Sequence, residues 1–355
     1  MRILISSKHF LPTLGGSINY AVMLAGAFRR KGAEVIIMTR TSGPEGPVAG
    51  CEVVRNAGVG RRFELAGWAD VIFQVEASWQ DVWPFLLRAR PWFPTIHCGK
   101  IRSTDLRTRI AQFGLSAAYK MGRTIPVGDQ VARDAGIRGE PIHNPYDNEV
   151  FHEAEGVFAR HIDLLFVGRV EKSKGVFVLL EALKRIAGKL DSPPTCCFVG
   201  DGPDSGKLRQ ASADFGPGVR FEHAGRLAPE AVADRMRRSK ILVFPTTPEW
   251  AEASPLTPLE ALACGCRIIA ADNGGTRENI GPDGILVESG EAAPLASALF
   301  ELLQSPPVRD MDEVRKFLTD RTLDRVASRY LERFAAVIGA GRNSAGCDAD
   351  QIAKR

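Results

Sequence analysis

Short apolar runs alternate with amphipathic stretches along almost the whole chain. Residues 3–6 read as a buried strand, followed by a loop holding Pro12 and Gly15-Gly16. Apolar positions at helical spacing then fill about 17–30, Gly32 stops the helix, and 35–39 reads as the next strand. That is one βαβ unit, whose crossover is expected to be right-handed. Further short strands are predicted at 71–75, 94–97 and 124–127. A second series follows, with strands at 164–167, 196–199, 219–222, 241–244, 268–271 and 285–287. Helical patterns fit between them at 176–187, 206–214, 229–238, 258–263 and 291–303. Strict strand–helix alternation argues for parallel, doubly wound sheets. A last amphipathic segment is predicted over about 311–337.

A chain of 355 residues is long for one core, so two domains are expected. Asn144-Pro145-Tyr146-Asp147 is turn chemistry, which places a linker near 145–155. The expected layout is a first domain over 1–150 and a second over 151–310. The helix at 311–338 is expected to pack back on the first, and 339–355 to form a small, polar, flexible tail. The fold class is α/β, with two Rossmann-like doubly wound parallel-sheet domains facing a cleft.

Composition narrows the class further. At 45% hydrophobic and 25% charged, without a long apolar run, the chain reads as globular and free of membrane spans. Its N-terminus enters a strand at once and lacks signal-peptide order, so a cytoplasmic location is expected. Seven cysteines without paired metal spacing read as reduced core residues, and no metal site is expected. Residues 1–150 carry 19 Lys/Arg against 13 Asp/Glu, whereas the whole chain is at +4. The excess gathers at Lys100, Arg102, Arg107, Arg109, Lys120 and Arg123. It suits an anionic acceptor or a peripheral contact with an acidic inner membrane face, or else a solvated helix face. Nucleic acid is disfavoured, because the charge is modest and lacks interleaved aromatics.

Candidate chemistry falls in loops at the carboxyl ends of strands, where open α/β sheets bind ligands. Glu252 and Glu260 lie eight positions apart across the start of a helix, suited to gripping sugar hydroxyls. Gly168-Arg169 to Lys174-Gly175 leaves a strand and enters a helix, so Arg169 and Lys174 can converge on a diphosphate beside oriented N–H groups. Gly15-Gly16 permits close backbone approach to a phosphate, or forms an ordinary tight turn. Val199-Gly200-Asp201-Gly202-Pro203 reads as a structural turn. His97 ends a strand and can face a ligand, although a lone histidine is usually structural.

Together these motifs resemble the family-4 retaining glycosyltransferases of the GT-B architecture, from Pro12–Gly16 to about Leu303. Phe166-Val167-Gly168-Arg169, Lys174-Gly175, Val199–Pro203, the Glu252/Glu260 pair and Gly274-Gly275-Thr276-Arg277-Glu278 recur there in this order. The resemblance implies that Arg169 and Lys174 neutralise the nucleotide diphosphate and Glu260 holds the ribose hydroxyls. It implies that Glu252 holds hydroxyls of the transferred sugar, and that His97 contacts that sugar and stabilises developing positive charge through its carbonyl. Backbone groups of Gly15, Gly16, Gly168, Ser254, Pro255 and Leu256 would complete the donor site. The chain departs from the family pattern at Ala253-Ser254-Pro255 and in the longer loop with Pro248, Glu249 and Trp250. Glu249 is a rival hydroxyl-binding carboxylate, though its spacing to Glu260 is wrong.

The implied reaction is metal-independent, cofactor-free hexosyl transfer from a nucleoside-diphosphate sugar. The acceptor would be a saccharide, a lipid-linked glycan or a small molecule. Retention without a placed nucleophile implies front-face departure and attack. A sugar-nucleotide epimerase and a non-catalytic nucleotide-sugar-binding protein are the alternatives. The base, the sugar and the linkage leave no side-chain signature.

Overall fold

The computed structural model describes residues 1–13, 15–75, 87–88, 90–97, 123–154 and 159–352. The chain divides into two units, Met1–Pro145 with Leu323–Arg355, and Tyr146–Thr322. It therefore passes between them twice.

The first unit holds β1 (Arg2–Ser7), β2 (Glu34–Thr39), β3 (Glu52–Arg55), β4 (Val71–Val75), β5 (Trp92–Ile96) and β6 (Ile125–Pro126). All pair in parallel, in the order β3-β2-β1-β4-β5-β6. Helices α1 (Gly16–Arg30), α2 (Val59–Trp68) and α3 (Asp129–Ala135) belong to it. Three of these elements, β3, α2 and α3, escape the hydrophobic pattern. β3 is a half-exposed edge strand, α2 buries only Leu65 and Ala66, and α3 only Val131.

The second unit repeats the plan. Its strands are β7 (Ile162–Val167), β8 (Thr195–Val199), β9 (Arg220–Gly225), β10 (Ser239–Phe244), β11 (Arg267–Ala271) and β12 (Ile285–Val287). They lie in the parallel order β12-β11-β10-β7-β8-β9. Helices α4 (Val176–Ile186), α5 (Ser205–Ala213), α6 (Pro229–Arg237), α7 (Leu256–Ala263) and α8 (Ala292–Gln304) alternate with the strands. Successive strand residues point to opposite faces. Leu164 and Phe166 accordingly enter one core with Leu179, Leu183 and Leu299. Leu165 enters the other with Met236, Leu259 and Leu262. Both faces are covered, as an all-parallel sheet requires.

The C-terminal segment is not one helix. α9 (Met311–Thr319), capped by Asp310, buries Val314 against the second unit's core. α10 (Leu323–Ile352) is part of the first unit and continues through residues expected to form an irregular tail. Tyr330 and Phe334 are fully buried among Phe28, Phe73 and Phe93, with ring centroids 4.7–6.2 Å apart. The basic positions Lys100, Arg102, Arg107, Arg109 and Lys120 lie outside the described residues. Among the described residues, no helix is long and apolar enough to cross a membrane.

Candidate functional site

Parallel strand order creates the site in the second unit. The chain runs outward from β7 through β8 to β9, then returns to start β10 on the other side of β7. The loops leaving β7 and β10 therefore part company at one point, the switch position where such sheets leave a crevice. The first loop carries Gly168, Arg169 and Lys174, and the second carries Glu252.

Glycines bring these loops close. Gly168 N donates to Val199 O at 3.0 Å and Val170 N to Asp201 O at 3.1 Å. A side chain on Gly200 would lie 1.8 Å from the Gly168 carbonyl, so the Val199–Pro203 turn supports this loop structurally. Gly175, at φ +75°, would collide with the Pro245 carbonyl at 1.7 Å if it carried a Cβ. Thr247 N and Oγ1 both donate to Ser173 O, at 3.0 and 3.2 Å. The two loops are thus stitched backbone to backbone.

Lys174 Nζ donates to Glu252 Oε1 at 2.7 Å, with only 19% and 12% of the two side chains exposed. The ammonium also sits 5.1 Å from the centre of the Trp250 ring. Arg169 is placed differently. It stands 67% exposed, its Nε 3.2 Å from Glu171 Oε2, on the same loop as Lys174. A guanidinium so exposed retains rotamer freedom to meet a ligand. The N-terminus of α4 has no side-chain cap, so its first N–H groups remain for an anion.

Glu252 is fixed from behind. Gly275 N donates to its carbonyl at 2.7 Å, and side chains on Gly274 or Gly275 would strike the Glu252 or Ala253 carbonyl at 2.1 and 1.9 Å. Buried Asn273 donates to Thr247 O and Trp250 O at 2.9 and 2.7 Å, holding the long loop. Glu249 accepts from Thr247 Oγ1, which with a backbone N–H holds its carboxyl below the usual range. Ser254 is buried and accepts from Asn279 Nδ2 at 2.9 Å, while Arg321 Nη1 donates to Asn279 Oδ1 at 3.0 Å. Pro255 has no N–H and cannot donate to a ligand, so only its neighbours' amides fit that role. Asn273, Asn279 and Arg321 were not legible as supports, although Gly274-Gly275 beside them was a signal.

Glu260 lies in the second turn of α7, not the first, because the helix begins at Leu256. Desolvation, reinforced by the charge of Asp147, raises its carboxyl to about 7. Its ordinary value is near 4.3. Such a group is ready to ionise for a hydroxyl-bearing ligand that neutralises the desolvation.

The other candidates belong to the first unit. Gly15 precedes α1 in an extended conformation, and α1 has neither a side-chain cap nor an acidic residue in its first turn. Among the described residues, none lies within 4 Å of where a side chain on Gly16 would begin, so their packing does not demand glycine there. His97 follows β5 and is half-buried, its ring edge-on to Tyr20 at 4.6 Å and its Nε2 3.0 Å from Thr95 Oγ1. Desolvation lowers its pKa to about 3, so the imidazole is neutral at physiological pH.

Known proteins resemble the chain in sequence and in fold. A D-inositol 3-phosphate glycosyltransferase of Rhodococcus erythropolis is 30% identical over 178 residues, covering 46% of this chain and 38% of the relative. The chain thus spans well under two thirds of that relative's length. D-inositol 3-phosphate glycosyltransferase 1 of Catenulispora acidiphila is 26% identical over 358 residues, covering 82% and 83%. In fold, the chain is similar to HepE of Anabaena, solved in complex with UDP, at 18% identity and TM-score 0.75 over 95% of this chain and 100% of that one. The family model for glycosyl transferases group 1 matches residues 147–316, nearly the whole second unit. The second unit thus matches the glycosyl transferases group 1 family, and that match spans just under half of the chain.

Proposed function

We propose that this protein is a family-4 retaining glycosyltransferase that moves a hexose from a nucleoside-diphosphate sugar to an acceptor hydroxyl. The observation that carries this reading is the 2.7 Å contact of Lys174 with Glu252 at the switch point of the second sheet. A cation for phosphate and a carboxylate for hydroxyls meet there, with a desolvated Glu260 on the adjoining helix. Lys174 and Arg169, with the N-terminus of α4, would stabilise charge on the leaving diphosphate. Glu252 would hold sugar hydroxyls and Glu260 the ribose. The positive groups would take the part of a divalent metal, so chelators should leave the rate unchanged.

His97 would act through its main-chain carbonyl, since a ring with a pKa near 3 is a poor general acid or base at neutral pH. That disfavours the epimerase reading, which needs an acid/base pair. The relatives' names suggest a polar, phosphate-bearing acceptor.

Thermal-shift screening against UDP-, GDP-, ADP- and TDP-sugars tests the donor class. A ligand at 100 times its Kd stabilises the protein by about 2.7 kcal/mol, and one base should dominate. With that donor, Lys174→Ala and Arg169→Ala should each reduce turnover by roughly 10²-fold or more. Unchanged turnover in both variants rules the assignment out.

A further inference from the structure

We propose that Trp250 is a positioning residue for Lys174, its ring and the Glu252 carboxylate together caging the ammonium at the switch point of the second sheet. The proposal rests on the donor site described above.

A lysine carries a compact charge on a flexible four-carbon stem, and ordering that stem is costly in entropy. Here two neighbours hold the side chain's ammonium in place. Its Nζ has the carboxylate on one side at 2.7 Å and the indole at 5.1 Å from the ring centre. That separation lies within the range at which an ammonium is attracted to an aromatic face.

Trp250 is itself 52% exposed, so its ring is open to solvent on one side and meets the ammonium on another. Its backbone is nonetheless fixed at both ends, N–H to Thr247 O at 3.1 Å and carbonyl to Asn273 Nδ2 at 2.7 Å. The same loop is bonded to Ser173, the residue before Lys174. The indole is therefore carried on a support that shares its frame with the lysine.

The cage has one mobile member. Glu252 is held at its main-chain carbonyl by Gly275 N, whereas the ammonium sits at the end of a four-carbon stem with several rotatable bonds. An arriving diphosphate competes with the carboxylate for the ammonium. Attraction to a ring face is broad in angle, so the ammonium can slide from carboxylate to phosphate without leaving the indole. Trp250 then favours the lysine's site-facing rotamers in both states, and Glu252 is released to the sugar.

A double-mutant cycle tests this. UDP, GDP, ADP and TDP are titrated into the full chain by calorimetry, and the tightest is carried into Trp250→Ala, Trp250→Phe, Trp250→Leu, Lys174→Ala and the Trp250→Ala/Lys174→Ala pair. Thermal melts monitor folding. Trp250→Ala is expected to weaken diphosphate binding ~3- to 10-fold, Trp250→Phe to restore most of it, and Trp250→Leu to restore little. In the Lys174→Ala background, Trp250→Ala should have no further effect. Additive losses, or full function with Leu, would overturn the cage and assign the ring to packing or to stacking on a sugar. Those results leave the donor-site reading intact if the wild type binds a nucleoside diphosphate. A wild type that binds none of the four overturns both.

Discussion

Two carboxylates that look alike in the sequence are physically different residues. Glu252 is paired and Glu260 is desolvated, and the difference makes separate predictions. If Glu260 accepts hydrogen bonds from both ribose hydroxyls, its ionised form, with two acceptor oxygens, binds more tightly. Nucleotide affinity should then hold above about pH 7 and fall below it. Calorimetry across pH 5.5–8.5 checks this, and Glu260→Gln should flatten the profile. The stability sign is opposite to that of a paired acid. The folded-state pKa is raised, so the penalty is absent below the unfolded value, grows as pH rises to about 7, and is constant beyond. Glu260→Gln should therefore melt higher than wild type at pH 8, by less at pH 5. Glu252→Gln makes a different test. It removes the carboxylate that competes for Lys174, so nucleoside diphosphate should bind at least as tightly while transfer falls roughly 10²-fold. Weaker diphosphate binding would contradict this internal competition.

At the scale of elements, helix N-termini and the glycines before them set the site, and two glycines separate packing from function. Gly175→Ala places a Cβ against the Pro245 carbonyl at positive φ, and should destabilise by at least ~1–3 kcal/mol and separate the stitched loops. Among the described residues, Gly16→Ala meets open space in the first turn of α1, so its melt should be unchanged or raised by up to ~1 kcal/mol. If a phosphate or sugar occupies that space, turnover nevertheless falls more than ~10-fold, on the scale of one lost stabilising contact. Both positions read alike in the sequence, as glycine at a strand–helix turn. Only the neighbouring backbone separates them. The same limit hid β3, α2 and α3, which bury too few side chains to impose a period.

At the scale of the molecule, the first unit is completed by the last helix. Phe334 is fully buried against Phe28, Phe73 and Phe93, and Tyr330 and Tyr20 share a hydrogen bond at 2.5 Å. Phe334→Ala should cost ~3–5 kcal/mol in the first unit. Chemical denaturation followed by probes in each unit should show one transition shifted and the other in place. A single transition moving as a whole would mean the units unfold as one.

In the second unit, local hydrophobic spacing was enough to determine the alternation of strand and helix, the parallel sheet and the strand-end loops that carry Arg169, Lys174 and Glu252. Periodicity is a relation among near neighbours in the chain, so the sequence displays it directly. Tertiary structure decided which loops meet. It put β10 beside β7, joined Lys174 to a carboxylate 78 positions away, and laid Trp250 against the same ammonium. It also moves the pKa of His97 down and that of Glu260 up, because desolvation favours the neutral form of each. Strand pairing and desolvation depend on neighbours distant in the chain, which local spacing does not specify.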